Sequence, residues 1–428
     1  MRHEFTALRL GLLLASALTL VACSSNGGIR CSFASPARLA TSSWPKFQRD
    51  LQNTGAIFVS ALGRAPVVRA QFQDPNGGRF LTAPVLGNGS ANAVSLDQRL
   101  YVGGSNGELF ALDTGTLTQL PQTEFTFSVT SGIQTTPLVG VKDGEEVLFF
   151  GSELGFVYGI THSGHRQQAA WPLNTGGATG LAVSLNPTDG TVYVASSSRA
   201  LYAVCPNGVR RFVSGSVAPL VGAPAVTPAG EVIYGGEDRI LRMERADGFL
   251  LWTLSLSAPL RNAPVVELDG SDPSKVKAIY AVDTRGRLFK VSPRGELVYT
   301  RSLGSEADLL SVAVAGSPAL ATGRLYVATT EGELLSVDTE TGEPVWSFSA
   351  GAGVVASPAV LVHAEGKTVV VGTTNGELLF VEDLGEAPRL AFAVTVNGAI
   401  RQPVAVSAAE SAPVFFVADD SGTISRIE

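Results

Sequence analysis

Few side chains in this chain of 428 residues have the type and spacing that chemistry requires. Of its four histidines, two form the pair His162-x-x-His165. Such a pair can begin a metal site, but ligation needs two or more further ligands, and neither a cysteine nor an acidic cluster stands beside it. A solvated loop is the favoured reading. Asp269, Asp272 and Lys275 fall in a longer connection whose Asp-Gly-Ser-Asp run is rich in oxygen, yet the ligand spacing of a calcium loop is missing, so an ordinary turn is expected. Trp252 and Trp346 could offer a ligand platform; packing of one structural unit on the next is favoured. No Ser-His-Asp arrangement or nucleophile elbow can be assembled. The expected catalytic, cofactor and metal residues are therefore none, and the chain is read as a non-enzyme.

Cysteine is the remaining reactive type, at positions 23, 31 and 205. Arg2 and Arg9 precede an apolar run from Leu10 to Ala22. That run is too short to span a hydrocarbon core of ~30 Å and has the length of a signal-peptide core. It ends at Leu20-Val21-Ala22-Cys23, which resembles the bacterial lipobox. The resemblance implies removal of residues 1–22 and acylation of Cys23; at ~0.8 kcal/mol per buried CH₂, several acyl chains anchor a protein without a spanning helix. Ser24 in place of Asp is similar to the outer-membrane sorting pattern of Gram-negative lipoproteins, with the inner membrane as the alternative. Residues 23–43, rich in Ser, Gly, Ala and Thr, are expected to be the lipidated cysteine and a flexible tether reaching roughly 25 Å. Cys31 and Cys205 remain in an oxidising compartment, where a disulfide pinning tether to body and two free thiols are both open.

The elements that would carry these residues follow from composition and repetition. Only 16% of residues are charged, and 47 glycines with 23 prolines punctuate the whole chain, which leaves little room for long helices. The net charge of −7 comes without a dense Lys/Arg patch, so nucleic acid is not an expected partner. Tyr101, Phe149, Tyr193, Ile233, Tyr280, Tyr326, Val370 and Phe416 recur at a mean period of 45 residues. Six positions after these anchors stand Gly107, Gly155, Arg199, Arg239, Gly286, Gly332, Gly376 and Gly422, and eight positions after them an aliphatic residue each time. Gly there suits the positive φ of a tight hairpin turn. A segment of small apolar residues around Pro84, Pro137, Leu181, Pro224, Pro264, Pro318, Pro358 and Pro403 precedes each hairpin, and an aromatic-bearing strand follows most of them. Four strands per unit make an all-β, eight-bladed β-propeller over residues 44–428. The eighth unit ends before its outer strand, and the stretch from Val67 to Gln73 is expected to supply it and close the ring.

The unit Leu325-Tyr326-Val327-Ala328 through Gly332-Glu333-Leu334 to Asp338-Thr339-Glu340-Thr341-Gly342 and Trp346 resembles the repeat of pyrroloquinoline-quinone-like propellers. The opening Trp44-Pro45-Lys46-Phe47-Gln48-Arg49-Asp50, with Asn53-Thr54-Gly55, is similar to the start of many such domains. Signal, lipobox, tether and blade count together resemble the outer-membrane-protein assembly lipoprotein family. That resemblance implies a lipid-anchored, monomeric, noncatalytic scaffold in the cell envelope, at the outer membrane and facing the periplasm, with an envelope protein or unfolded β-segment as partner and no cofactor. The alternatives are a small-ligand or carbohydrate-binding propeller and a quinone-dependent dehydrogenase. Such dehydrogenases commonly carry an adjacent cysteine pair and a full set of docking tryptophans. Here no two cysteines are neighbours, and only blades four and six place Trp at its repeat position.

Overall fold

The computed structural model describes residues 31, 36–90, 96–165, 170–304 and 313–428. Cys23 and residues 1–22 lie outside the described residues. Eight antiparallel sheets follow one another around a ring, and the innermost strand of the eighth blade touches that of the first. Blade 4 shows the pattern at its plainest, with Ala225–Val226 innermost, then Val232–Tyr234, Ile240–Glu244 and, outermost, Leu250–Ser255. Short strands with apolar residues on both faces suit sheets that stand face to face, since each inner and middle strand is covered on two sides. The anchor aromatics Tyr101, Phe149, Tyr193, Tyr280 and Tyr326 are fully buried between blades. Burying each such ring contributes about 2 to 3 kcal/mol, so the anchors' recurrence is the recurrence of the core.

The eighth blade closes as expected: Val68–Gln73 pairs antiparallel with Thr423–Ile427, setting Phe72 opposite Ile424. Ser43 fastens the seam from inside. Its N–H donates to Asp97 Oδ1 at 2.7 Å while its hydroxyl accepts from Ala408 N at 3.0 Å, and Ser407 Oγ donates to Asp97 Oδ2 at 2.6 Å.

Four details differ from the sequence expectations. Residues 36–43 do not belong to a tether. Ala37 is fully buried, Arg38–Leu39 pairs with Val141 and Gly140 at the inner edge of blade 2, and Ser42 Oγ donates to Leu86 O at 2.6 Å. The small residues that read as a flexible linker are what a narrow central channel accepts. Two blades also fall short of four full strands. Blade 1 has only isolated outer pairings, Glu108 with Ser128 and Leu112 with Gln119. Pro121 between them has no N–H to give the ladder and instead starts a turn closed by Glu124 and Phe125. In blade 2, Pro172 limits the outer strand to Leu173–Asn174. Finally, pairing of Ser184 with Tyr193 and Ala405 with Phe416 puts Val183 and Val404, rather than Leu181 and Pro403, at the position held by proline in the other six blades.

All eight turn positions are left-handed. Gly107, Gly155, Gly286, Gly332, Gly376 and Gly422 have φ between +70° and +94°, and Arg199 and Arg239 adopt +68° and +60°. At Gly332 the requirement is double, because a Cβ would stand 2.4 Å from the carbonyl oxygen of Ala352.

Candidate functional site

The centre of a propeller is the usual place to look for a site, and here a strap runs through it, leaving a cavity of about 520 Å³ between Arg49, Asp50, Gln52 and Thr54 and the innermost strands of blades 5 to 7. Residues 36–59 form a strap that runs around the inside of the ring and ends in Ala56–Phe58, parallel to Ala359–His363 of blade 7. Six innermost strands donate an N–H to it: Leu86, Val139, Val226, Val266, Leu320 and Val360, to the carbonyls of Trp44, Pro45, Leu51, Gln52, Thr54 and Gly55, at 2.7 to 2.9 Å. Each donor stands two residues after a proline, and the two blades without that proline, 3 and 8, make no equivalent bond. Asn53 Nδ2 reaches the carbonyls of Pro224 and Pro264, and Gln48 Nε2 those of Ser317 and Pro318. Lys46 holds the strap to itself, donating to Phe47 O, Asp50 O and Asn53 Oδ1 at 2.6 to 2.7 Å. Burial pulls its ammonium down to about 7, with Asp50 pulling the other way. The opening motif singled out in the sequence is thus the axle of the ring.

The residues considered for chemistry are scattered. His162 and His165 sit in the connection between the third and fourth strands of blade 2. The carbonyl of His162 accepts from Arg99 Nη1 at 2.9 Å, and His165 Nδ1 meets Ser163 Oγ at 3.0 Å. Asp269 and Asp272 face each other across a hairpin, but each carboxylate turns to its own serine, Ser271 and Ser274, and Lys275 pairs with Asp272 at 2.9 Å. Those serine hydrogen bonds hold both carboxyls below their usual range. No group of three or more metal-ligating side chains occurs among the described residues. Cys31 is joined by a disulfide to Cys205, in the outer-hairpin turn of blade 3. A dehydrogenase-type quinone seat does not fit these residues: the body cysteines are 174 positions apart in sequence rather than adjacent, and strap backbone is bonded to six of the innermost strands around the axis.

The tryptophans pack blade on blade. Trp252 Nε1 donates to Pro293 O at 3.1 Å, and a Cβ on Gly295 in that same turn would lie 2.4 Å from the indole. Trp346 Nε1 donates to Asp383 Oδ1 at 3.0 Å. Trp171 does the same in blade 2, donating to Pro206 O at 3.1 Å beside Gly208, so three tryptophans rather than two occupy the docking position. The offset caused by the irregular outer segment of blade 2 concealed the third.

Open surface with binding capacity lies at the rim. The outer strands Arg210–Gly215, Leu250–Ser255 and Leu297–Ser302 of blades 3, 4 and 5 are terminal in their sheets, so one row of backbone donors and acceptors on each is unpaired by any strand. They carry exposed apolar side chains, Val213, Leu250, Leu251, Leu297 and Val298, the last 56% exposed. The blade repeat by itself does not single out these three edges. The available signal was the doublets Leu250-Leu251 and Leu297-Val298, which break the alternation expected of a strand with one wet face.

A closed eight-bladed propeller with a strapped axis and open outer edges is a member of the quinoprotein-type fold class. The family model described as outer membrane protein assembly factor BamB matches residues 163–309 and 298–422, more than half of the chain. The chain belongs to this family. Among solved structures it is similar to BamB from Moraxella catarrhalis, at 15% identity and a TM-score of 0.61, covering 85% of this chain and 98% of that one. It is also similar to Saccharomyces cerevisiae Sqt1 (11% identity, TM-score 0.68, 85% and 99% covered) and to a europium-containing methanol dehydrogenase (13%, 0.68, 88% and 89%). At these identities the structures share the fold. No curated protein sequence matches the chain.

Proposed function

We propose that this protein is a lipid-anchored, noncatalytic scaffold of the cell envelope, held by Cys23 in the outer membrane and facing the periplasm, that presents its propeller to a protein partner in outer-membrane protein assembly. The observation that carries the reading is the set of open, apolar outer edges on blades 3 to 5 in a member of a family described as an outer membrane protein assembly factor. Strand addition there binds an unfolded β-segment through main-chain hydrogen bonds, with shallow apolar contacts that tolerate many sequences. Photocrosslinking residues placed at Leu251 and Leu297 of the full chain, both exposed on these outer strands, should capture envelope proteins, and adding Leu250→Lys with Val298→Lys to the probe-bearing chain should abolish capture while leaving the melting temperature within about 1 °C, as for surface changes worth under ~0.5 kcal/mol. Recovery of a small co-purifying ligand with no protein adduct would overturn the reading. Dye reduction with alcohols or sugars after adding quinone and Ca²⁺ would favour the dehydrogenase alternative instead.

A further inference from the structure

The faces of the ring are not equivalent. One, the strap face, carries the connections between first and second strands and between third and fourth. The other, the turn face, carries the tight turns at Gly107, Gly155 and their counterparts. The strap begins and ends on the strap face: Ala37 lies against Gly190 in the first connection of blade 3, and Ser60 Oγ donates to Ser411 O in that of blade 8. Cys205 is on this face too, so the disulfide to Cys31 fixes the chain there a second time.

Only seven residues separate Cys23 from Cys31. Eight steps at ~3.5 Å give a taut length of about 28 Å at most. The strands alone make the ring ~20 Å deep, at ~3.3 Å per residue, before any connections are added. A leash leaving from blade 3 on the strap face cannot easily wrap the rim and set the turn face on a bilayer. Exposed aromatic surface falls on the same side: among the described residues the two most exposed phenylalanines, Phe58 at 78% and Phe249 at 61%, lie on the strap face, whereas the most exposed apolar side chains of the turn face, Val217 and Leu154, are aliphatic.

From these features, and resting on the lipid-anchor reading above, we infer that the strap face is the membrane-apposed surface, that the disulfide suspends the ring from blade 3 so that the blade 3 and 4 side lies nearest the lipid, and that the turn face points into the aqueous compartment. Photoreactive residues at Phe58, Phe249 and Leu384 on one face and Leu154 and Val217 on the other, in the full lipoprotein in native envelope membranes, test the arrangement. Lipid adducts are expected from Phe58 and Phe249, fewer from Leu384, and none above background from Leu154 and Val217. In Cys205→Ser the strap still favours its own face, but the difference between Phe249 and Leu384 should disappear. Equal lipid adducts from both faces would overturn the orientation, and an unchanged Phe249 to Leu384 ratio in Cys205→Ser would overturn the suspension point. If the wild-type chain and Cys23→Ser fractionate alike, away from membranes, the anchor reading itself fails and the orientation with it.

Discussion

Arg199 and Arg239 show how far a backbone can hold its shape after the residue that suits it has gone. Both take the left-handed turn that glycine takes in the other six blades, at a cost of roughly 1 to 2 kcal/mol each. Arg239→Gly should therefore raise stability slightly, by under about 1 kcal/mol once the backbone entropy of glycine is counted. Gly332→Ala should lower it by about 2 kcal/mol or more, because strain and the clash with Ala352 O act together. Denaturant midpoints measure both. Lys46 makes a pH prediction. Its folded value of about 7 lies below the unfolded 10.5, so between these the unfolded chain binds more protons and stability rises with pH. The melting temperature should climb from pH 7 to 9.5, and Lys46→Met should flatten that slope; an equal slope in both proteins would assign it elsewhere. The turn glycines were legible as a recurring residue type. The disulfide was left open beside free thiols, since the proximity of Cys31 and Cys205 depends on a strap whose course no local pattern specifies.

At the scale of elements, the hairpins were readable because their alternation repeats eight times, so weak evidence in one blade is supported by its neighbours. The strap was not, because it occurs once and its hydrogen bonds go to partners spread over the whole chain. Its side chains do the work of a hub. Asn53→Ala removes two bonds to inner-strand carbonyls and one acceptor of the buried Lys46 ammonium, and should cost about 3 kcal/mol, more than a typical hydrogen-bond loss, since a buried charge is left short of a partner. Calorimetry should show this as a lower melting temperature for the whole transition. A separate early transition confined to part of the ring would mean that the strap does not couple the blades. The outer strands were obscured wherever proline interrupts them, at Pro121 and Pro172, and those blades offer less regular edge.

The whole molecule is a ring closed by its two ends. Removing residues 67–73 should expose the edge of Thr423–Ile427 and lower the melting temperature of the entire propeller; an unchanged curve would show that the seam carries no stability. The strap has a different consequence. It precedes every blade in the sequence, yet its carbonyls are met only by blades 1, 2, 4, 5, 6 and 7, and the seam strand waits for the last five strand residues. Contacts so distant in sequence form late and slowly. A segment made before the blades is thus among the last to settle, and until the final blade has been made the nascent chain carries an unfilled channel and an open edge, an interval in which it would itself need a chaperone's protection.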